Sequence, residues 1–146
     1  LLLSLTILVL LGAETGLCGE EPALAFSIDD DRLEWGPCPD FFPKGCEIAV
    51  LHGDPSQPNA DIFFKTPGNY AFPAHWHTSA ERMVLVSGQM NVSYEGQPVT
   101  HLRTGMYAYG PAGAVHEGEC IRDETCVLFI AFEQPIDATR FHQKHD

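Results

Sequence analysis

Between Glu47 and Phe132 no pattern in the chain lasts long. Short apolar or alternating runs are cut, again and again, by Gly, Pro, Asn and Asp. "EIAVLH" (47–52) stops at "GDPSQPN", and "ADIFFKT" (60–66) stops at "PGN". "MVLVSG" (83–88) runs into "QMNVSY" (89–94), which stops at "EGQP". "VTHLR" (99–103), "MYAYG" (106–110), "AVHEGEC" (114–120) and "CVLFIAF" (126–132) continue the series. Such runs, with turn residues at spacings of about 8–12, read as strands of a sandwich or barrel. A helix needs apolar residues at i, i+3, i+4 and i+7 over several turns, and no stretch before about residue 135 sustains that. The fold class expected is all-β.

The 146 residues suit one domain with one core. Leu1 to Leu11 is apolar and uncharged, too short to span a bilayer but the length of the core of a secretory signal. Residues 1–25 are therefore expected to be a signal peptide, cleaved somewhere between 18 and 25. A lipoprotein site at Cys18 is disfavoured by Leu17 before it, and a buried N-terminal strand or helix is the alternative. Residues 26–46, rich in Asp, Pro and Gly, are expected to be an irregular arm. The barrel spans 47–134, and the tail 135–146 is a short helix or a frayed end. The expected location is secreted or periplasmic.

Charge narrows the partners. Eight Lys+Arg against 20 Asp+Glu give a net charge of -12. No basic stripe exists to follow a phosphate backbone, so nucleic acid is excluded, as is an anionic membrane surface once the leader is gone.

Export gives the cysteines an oxidising environment. Beyond Cys18 there are Cys38, Cys46, Cys120 and Cys126. An even count of this kind points to disulfides, with three possible connectivities. The local pairing Cys38–Cys46 and Cys120–Cys126 is preferred, because "IRDET" between the last two has the look of a hairpin turn. Free buried thiols or a zinc site are the alternatives, the latter weakened by the lack of any C-x-x-C pair.

"PAHWHTSAERMVLVSG" (73–88) carries the chemistry. In a strand, residues i and i+2 share a face, so His75 and His77 project together and Trp76 points away. Glu81 has the same parity. Two imidazoles and a carboxylate make a partial shell of the type that holds non-haem metal ions. The turn around Gly110, Pro111 and Gly113 leads to His116, which can face the same interior from a distant strand. His52 and His101 read as structural or exposed, and His142 and His145 as solvated.

In these residues the chain resembles a cupin. The first cupin motif, G-x5-H-x-H-x3,4-E-x6-G, is met by Gly68, His75, His77, Glu81 and Gly88, with six rather than five residues in the first gap. The second, G-x5-P-x-G-x2-H-x3-N, is met by Gly105, Pro111, Gly113 and His116, with Cys120 in place of the final Asn. The resemblance implies a small single-domain cupin of the RmlC-like class, a conical jelly-roll barrel. It further implies one divalent transition metal (Fe, Mn, Zn, Ni or Cu) held by His75, His77, Glu81 and His116, and a homodimer formed through sheet edges.

Three histidines and one glutamate leave open positions on such an ion for a small-molecule substrate. By family analogy the first expectation is a metal-dependent enzyme of dioxygenase type. The alternative is a non-catalytic cupin that binds or senses a metal or small ligand, and a zinc cupin of the anti-sigma kind is a weaker third. Phe63, Tyr70, Phe72, Met83, Leu85 and Met106 are expected to line an apolar pocket. The sequence marks no catalytic acid or base; Tyr107 and Tyr109, which flank the second motif, are guesses by position alone.

Overall fold

A computed structural model describes residues 21–142. Cys18, His145 and most of the expected leader lie outside them. No helix occurs among the described residues, and so none long and apolar enough to cross a membrane.

Among the described residues eleven strands follow in order: β1 (Trp35–Pro37), β2 (Glu47–His52), β3 (Ala60–Thr66), β4 (Tyr70–Trp76), β5 (Glu81–Ser87), β6 (Gln89–Tyr94), β7 (Thr100–Arg103), β8 (Tyr107–Gly110), β9 (His116–Cys120), β10 (Cys126–Phe132) and β11 (Thr139–Arg140). They form two antiparallel sheets, ordered β1-β2-β3-β10-β5-β8 and β11-β4-β9-β6-β7. β5 and β6 are joined at Gly88, whose φ of 83° carries the chain from one sheet to the other. A side chain there would also meet Thr125 O and Cys126 Sγ at 2.8 Å, so both conformation and space demand glycine. The all-β jelly roll expected from the sequence is the fold observed.

Alternation along each strand decides what lies between the sheets. On β10, Cys126, Leu128, Ile130 and Phe132 point into the main core with Ile62, Phe64, Tyr70, Phe72, Met83, Leu85, Met90, Val92 and Leu102. Val127 and Phe129 point to the other face of the same sheet. There they meet Phe63, Ala49 and Leu51, and the arm covers them with Phe26, Ile28, Leu33 and Trp35. The run "CVLFIAF" is apolar throughout because both of its faces are covered.

Two segments fold over one end of the barrel. From the N-terminal side comes the loop between Cys38 and Cys46, whose sulfurs are paired, with Cα atoms 5.6 Å apart. From the C-terminal side comes the stretch after Phe132, held by Ile136 N–H to Pro55 O and by β11 on β4. At the far end Cys120 pairs with Cys126, with Cα atoms 5.8 Å apart.

Four expectations about the pocket need correction. Phe63 faces outward, since Ile62 and Phe64 hold the inward positions of β3. Met106 sits in the turn before β8 and is exposed. Tyr70 and Leu85 are buried in the barrel but do not line its cavity.

Candidate metal centre

β4 begins with Tyr70 and Phe72 facing inward, and strict alternation would next turn Ala74 and Trp76 inward. It does not. The ladder with β9 shifts between Phe72 and His75: Phe72 stands opposite Gly118, and His75 opposite His116. This bulge falls at Pro73, which has no N–H to give to a ladder. It re-phases the strand, so that His75 and, just after it, His77 turn inward. Ser79, almost fully buried, then fixes the following turn. Its hydroxyl accepts the N–H groups of Glu133 and Gln134 at 2.9 and 3.0 Å and donates to Ala80 O. Glu81 opens β5, and His116 opens β9 after the turn in which Gly113 N–H donates to His77 O at 2.8 Å.

Three of the four expected ligands form one cluster, and Glu81 stands beside two of them. His75, His77 and His116 offer nitrogens that all lie within 4.8 Å of one another. The Glu81 carboxylate stands 3.3 Å from His77 Nε2 and 3.6 Å from His116 Nε2. All four residues are buried.

Each imidazole is aimed by its other nitrogen. His75 Nδ1 is 2.8 Å from Pro73 O, His116 Nδ1 is 3.1 Å from Ala114 O, and His77 Nδ1 bonds Asp137 O. Neutral imidazoles donating from Nδ1 to these carbonyls leave the Nε2 lone pairs free, and those converge. Phe42 meets His75 edge-on with ring centroids 5.1 Å apart, and Phe132 meets His77 at 5.6 Å.

Electrostatics fits the same purpose. Burial, with the neighbouring His116 and His77, pushes His75 down to about 3. Burial pushes His116 down to about 4 and His77 below its ordinary value, the latter partly offset by the bond to Asp137. All three are therefore neutral, ligand-competent bases near pH 7. Burial pushes Glu81 up to about 8. A cation among these groups would reverse that, because a nearby positive charge favours the carboxylate. Three neutral nitrogens and one carboxylate oxygen are a donor set suited to divalent transition metals.

The cluster opens on a partly enclosed cavity of about 80 Å³. Phe72 and Met83 line it, as expected, together with Ile62, Phe64, Leu128 and Ile130. Phe42 from the arm and Ile136 and Asp137 from the C-terminal strap close in from the sides. Tyr107 and Tyr109 do not take part, since they stand exposed on β8. The tyrosine that does is Tyr94, whose phenol is pushed up by burial and by Glu81. Its inward position was readable from the alternation Met90, Val92, Tyr94. Asp137 and Phe42 had no such mark. Of the other histidines, His52 pairs with Glu21 and His101 with Asn91, both at the surface, and His142 is exposed.

A profile for the ChrR cupin-like domain matches residues 24–135. No curated protein matches the chain. Among solved structures, a DMSP lyase aligns with a TM-score of 0.66 and 20% identity over 75% of this chain and 63% of its own, so this chain spans less than two thirds of its length. A polyketide cyclase, RemF from Streptomyces resistomycificus, aligns with a TM-score of 0.66 and 15% identity, covering 84% of this chain and 89% of its own. A cupin-like protein from Thermotoga maritima gives 0.63 and 20%, covering 77% and 89%. At these identities the likeness is one of fold.

Proposed function

The chain belongs to the ChrR cupin-like family, and on that premise we propose that it holds one divalent transition metal on His75, His77, Glu81 and His116 and presents it to a small organic ligand in the barrel cavity. One observation carries this: every Nδ1 is committed to a backbone carbonyl, so three Nε2 atoms are left facing one another beside a buried carboxylate. Bound there, such an ion supplies Lewis-acid or redox chemistry, and a dioxygenase-type activity is the reaction class we favour. What the chain contributes is ligand aim, a dry apolar wall and exclusion of bulk water.

A second reading is a non-catalytic cupin that binds or senses a metal or small ligand. It is favoured by the sparse polar lining. Among the described residues of the cavity wall there is no lysine or arginine, and the one further carboxylate, Asp137, accepts Thr78 N–H at 2.8 Å.

We further propose export, with cleavage between residues 18 and 25 ahead of the arm and barrel. Two cysteine pairs within bonding reach support an oxidising compartment. N-terminal sequencing of the exported chain would contradict this by starting at Leu1. A homodimer through a sheet edge is the proposed assembly. β8, an edge strand bearing the exposed Tyr107 and Tyr109, supports it, and a monomeric mass in solution would remove it.

The deciding test of the metal centre is elemental analysis of protein purified without chelator or nickel resin, beside a His75→Ala/His116→Ala variant. About one ion per chain, lost in the variant, is expected. Stoichiometric metal retained by the variant would overturn the assignment. Iron, manganese or copper would favour the oxygenase reading, and zinc or nickel would leave hydrolysis, isomerisation and sensing open.

A further inference from the structure

Besides the Asp137 carboxylate, which accepts Thr78 N–H, the cavity wall holds a polar group that the metal centre does not use. Tyr94 Oη is buried, and among the described residues it has no hydrogen-bond partner. Thr66 Oγ1 is the other such atom, but Thr66 does not line the cavity. A hydroxyl left unpaired away from water costs free energy, and phenylalanine would fill the same volume without that cost.

The backbone makes room for this hydroxyl. A Cβ at Gly110 would lie 2.5 Å from Tyr94 Oη and 3.0 Å from Glu81 Oε2. The phenol oxygen and the carboxylate thus share the space that any side chain at 110 would take. The hydroxyl is held beside the proposed metal ligands, on the cavity side, with its proton uncommitted.

Charge defines what meets it. A divalent ion with Glu81 ionised and three neutral imidazoles leaves one net positive charge on the cluster itself, while the other wall carboxylate, Asp137, is engaged by Thr78 N–H at 2.8 Å. A ligand with a single anionic oxygen head brings the cluster to zero. A dianion would bury an uncompensated charge, and no lysine or arginine among the described wall residues is there to receive it. At about 80 Å³ the cavity has room for such a head and a few carbon atoms, against which Phe72, Leu128 and Ile130 offer apolar contact.

We propose that the cavity takes a small, largely apolar ligand with one anionic oxygen head (a carboxylate, enolate or hydroxamate) and that Tyr94 donates a hydrogen bond to that head. The proposal rests on the metal-centre reading.

The test loads the full chain with Co(II) and titrates it at about pH 8.5, where inorganic phosphate is a dianion, with acetohydroxamate and then with phosphate, following the visible cobalt spectrum. Acetohydroxamate should shift the spectrum saturably, and phosphate at equal concentration should not. Tyr94→Phe should keep the cobalt spectrum and an equal or higher melting temperature, yet bind acetohydroxamate about 10-fold more weakly. Affinity within twofold of wild type would overturn the role of Tyr94. Phosphate binding as tight as acetohydroxamate would overturn the ligand class. A Tyr94→Phe chain that melts earlier or loses cobalt would make the hydroxyl structural, which also overturns the proposal. Failure of the wild-type chain to take up cobalt would overturn the metal centre itself, an outcome distinct from the other three.

Discussion

At one end of the barrel interior, Leu85, Met90, Leu102, Cys120 and Cys126 are each 1% exposed or less, and their side chains are apolar or sulfur. At the other end of three of these strands stand Glu81 on β5, Tyr94 on β6 and His116 on β9, with His75 beside them on β4. β5 runs from the buried carboxylate to the packed leucine within five residues. The contrast teaches that one sheet pair serves two purposes. Its packed end supplies stability through burial and dispersion. Its mouth accepts the penalty of burying a carboxylate, three imidazoles and a hydroxyl without a partner among the described residues, a collection that suits the proposed metal and ligand.

If that division is right, the ends respond to different insults. The largest effect is expected at the packed end. Leu85→Ala leaves a cavity where nothing can collapse easily and should cost about 4 kcal/mol by urea denaturation, within the usual range for such changes. Metal content should stay unchanged. A loss below about 1 kcal/mol, or loss of metal from a chain that remains folded, would break the division.

The next effect is at the mouth and depends on pH. In the metal-free protein Glu81 is held at about 8 against an ordinary 4.5. Between those values the folded chain binds more protons than the unfolded one, so this group's stabilisation is complete below about 4.5 and is lost as pH rises through about 8. The imidazoles act oppositely. With His75 at about 3 and His116 at about 4 against 6.5, stability is lost as pH falls below 6.5 toward those values. Glu81→Gln removes the first effect and keeps the second. The metal-free variant should gain on the order of 3 kcal/mol over wild type at pH 8 and almost nothing at pH 4.5. Denaturation of chelator-treated protein at both pH values checks this. An equal gain at the two would show that size or packing, not charge, is what burial of Glu81 costs.

The packed end was the easier to read in the sequence. Alternation and turn residues are local, so β2, β3, β6 and β10 fall on the residues their patterns mark, and the four candidate ligands stood out through two spaced motifs. What escaped was long-range. His77 takes its acceptor from Asp137, 60 residues away, and no local pattern announces a backbone carbonyl. Phe42 reaches His75 from the arm only because the chain between Cys38 and Cys46 folds across the mouth. Tyr107 and Tyr109 were attractive for their nearness to His116 in sequence, but on β8 the positions turned from solvent are Ala108 and Gly110. Phe63 misled in the same way, since three consecutive apolar residues on β3 hide which face is the interior until the second cluster is seen.

The two cysteine pairs give the smallest and sharpest comparison, because one lies at each end. Cys120 and Cys126 are six residues apart and join β9 to β10 within the packed end. Cys38 and Cys46 are eight apart and close the loop that brings Pro39 and Phe42 to the mouth. Loop closure over such short spans is worth about 2 kcal/mol in the chain-entropy account, nearly the same for both. Each Cys→Ala pair should therefore lower stability alike, and the unmodified protein denatured without reductant should show no free thiol at these four positions. Their effects on the site should differ. Without Cys38–Cys46, Phe42 loses its tether beside His75, and a strong chelator should strip metal several-fold faster than from wild type. Without Cys120–Cys126, the stripping rate should be unchanged. Equal rates in both variants would mean that the arm packs on the mouth without guarding it, and would leave the C-terminal strap, through Asp137 on His77, as the segment that controls access.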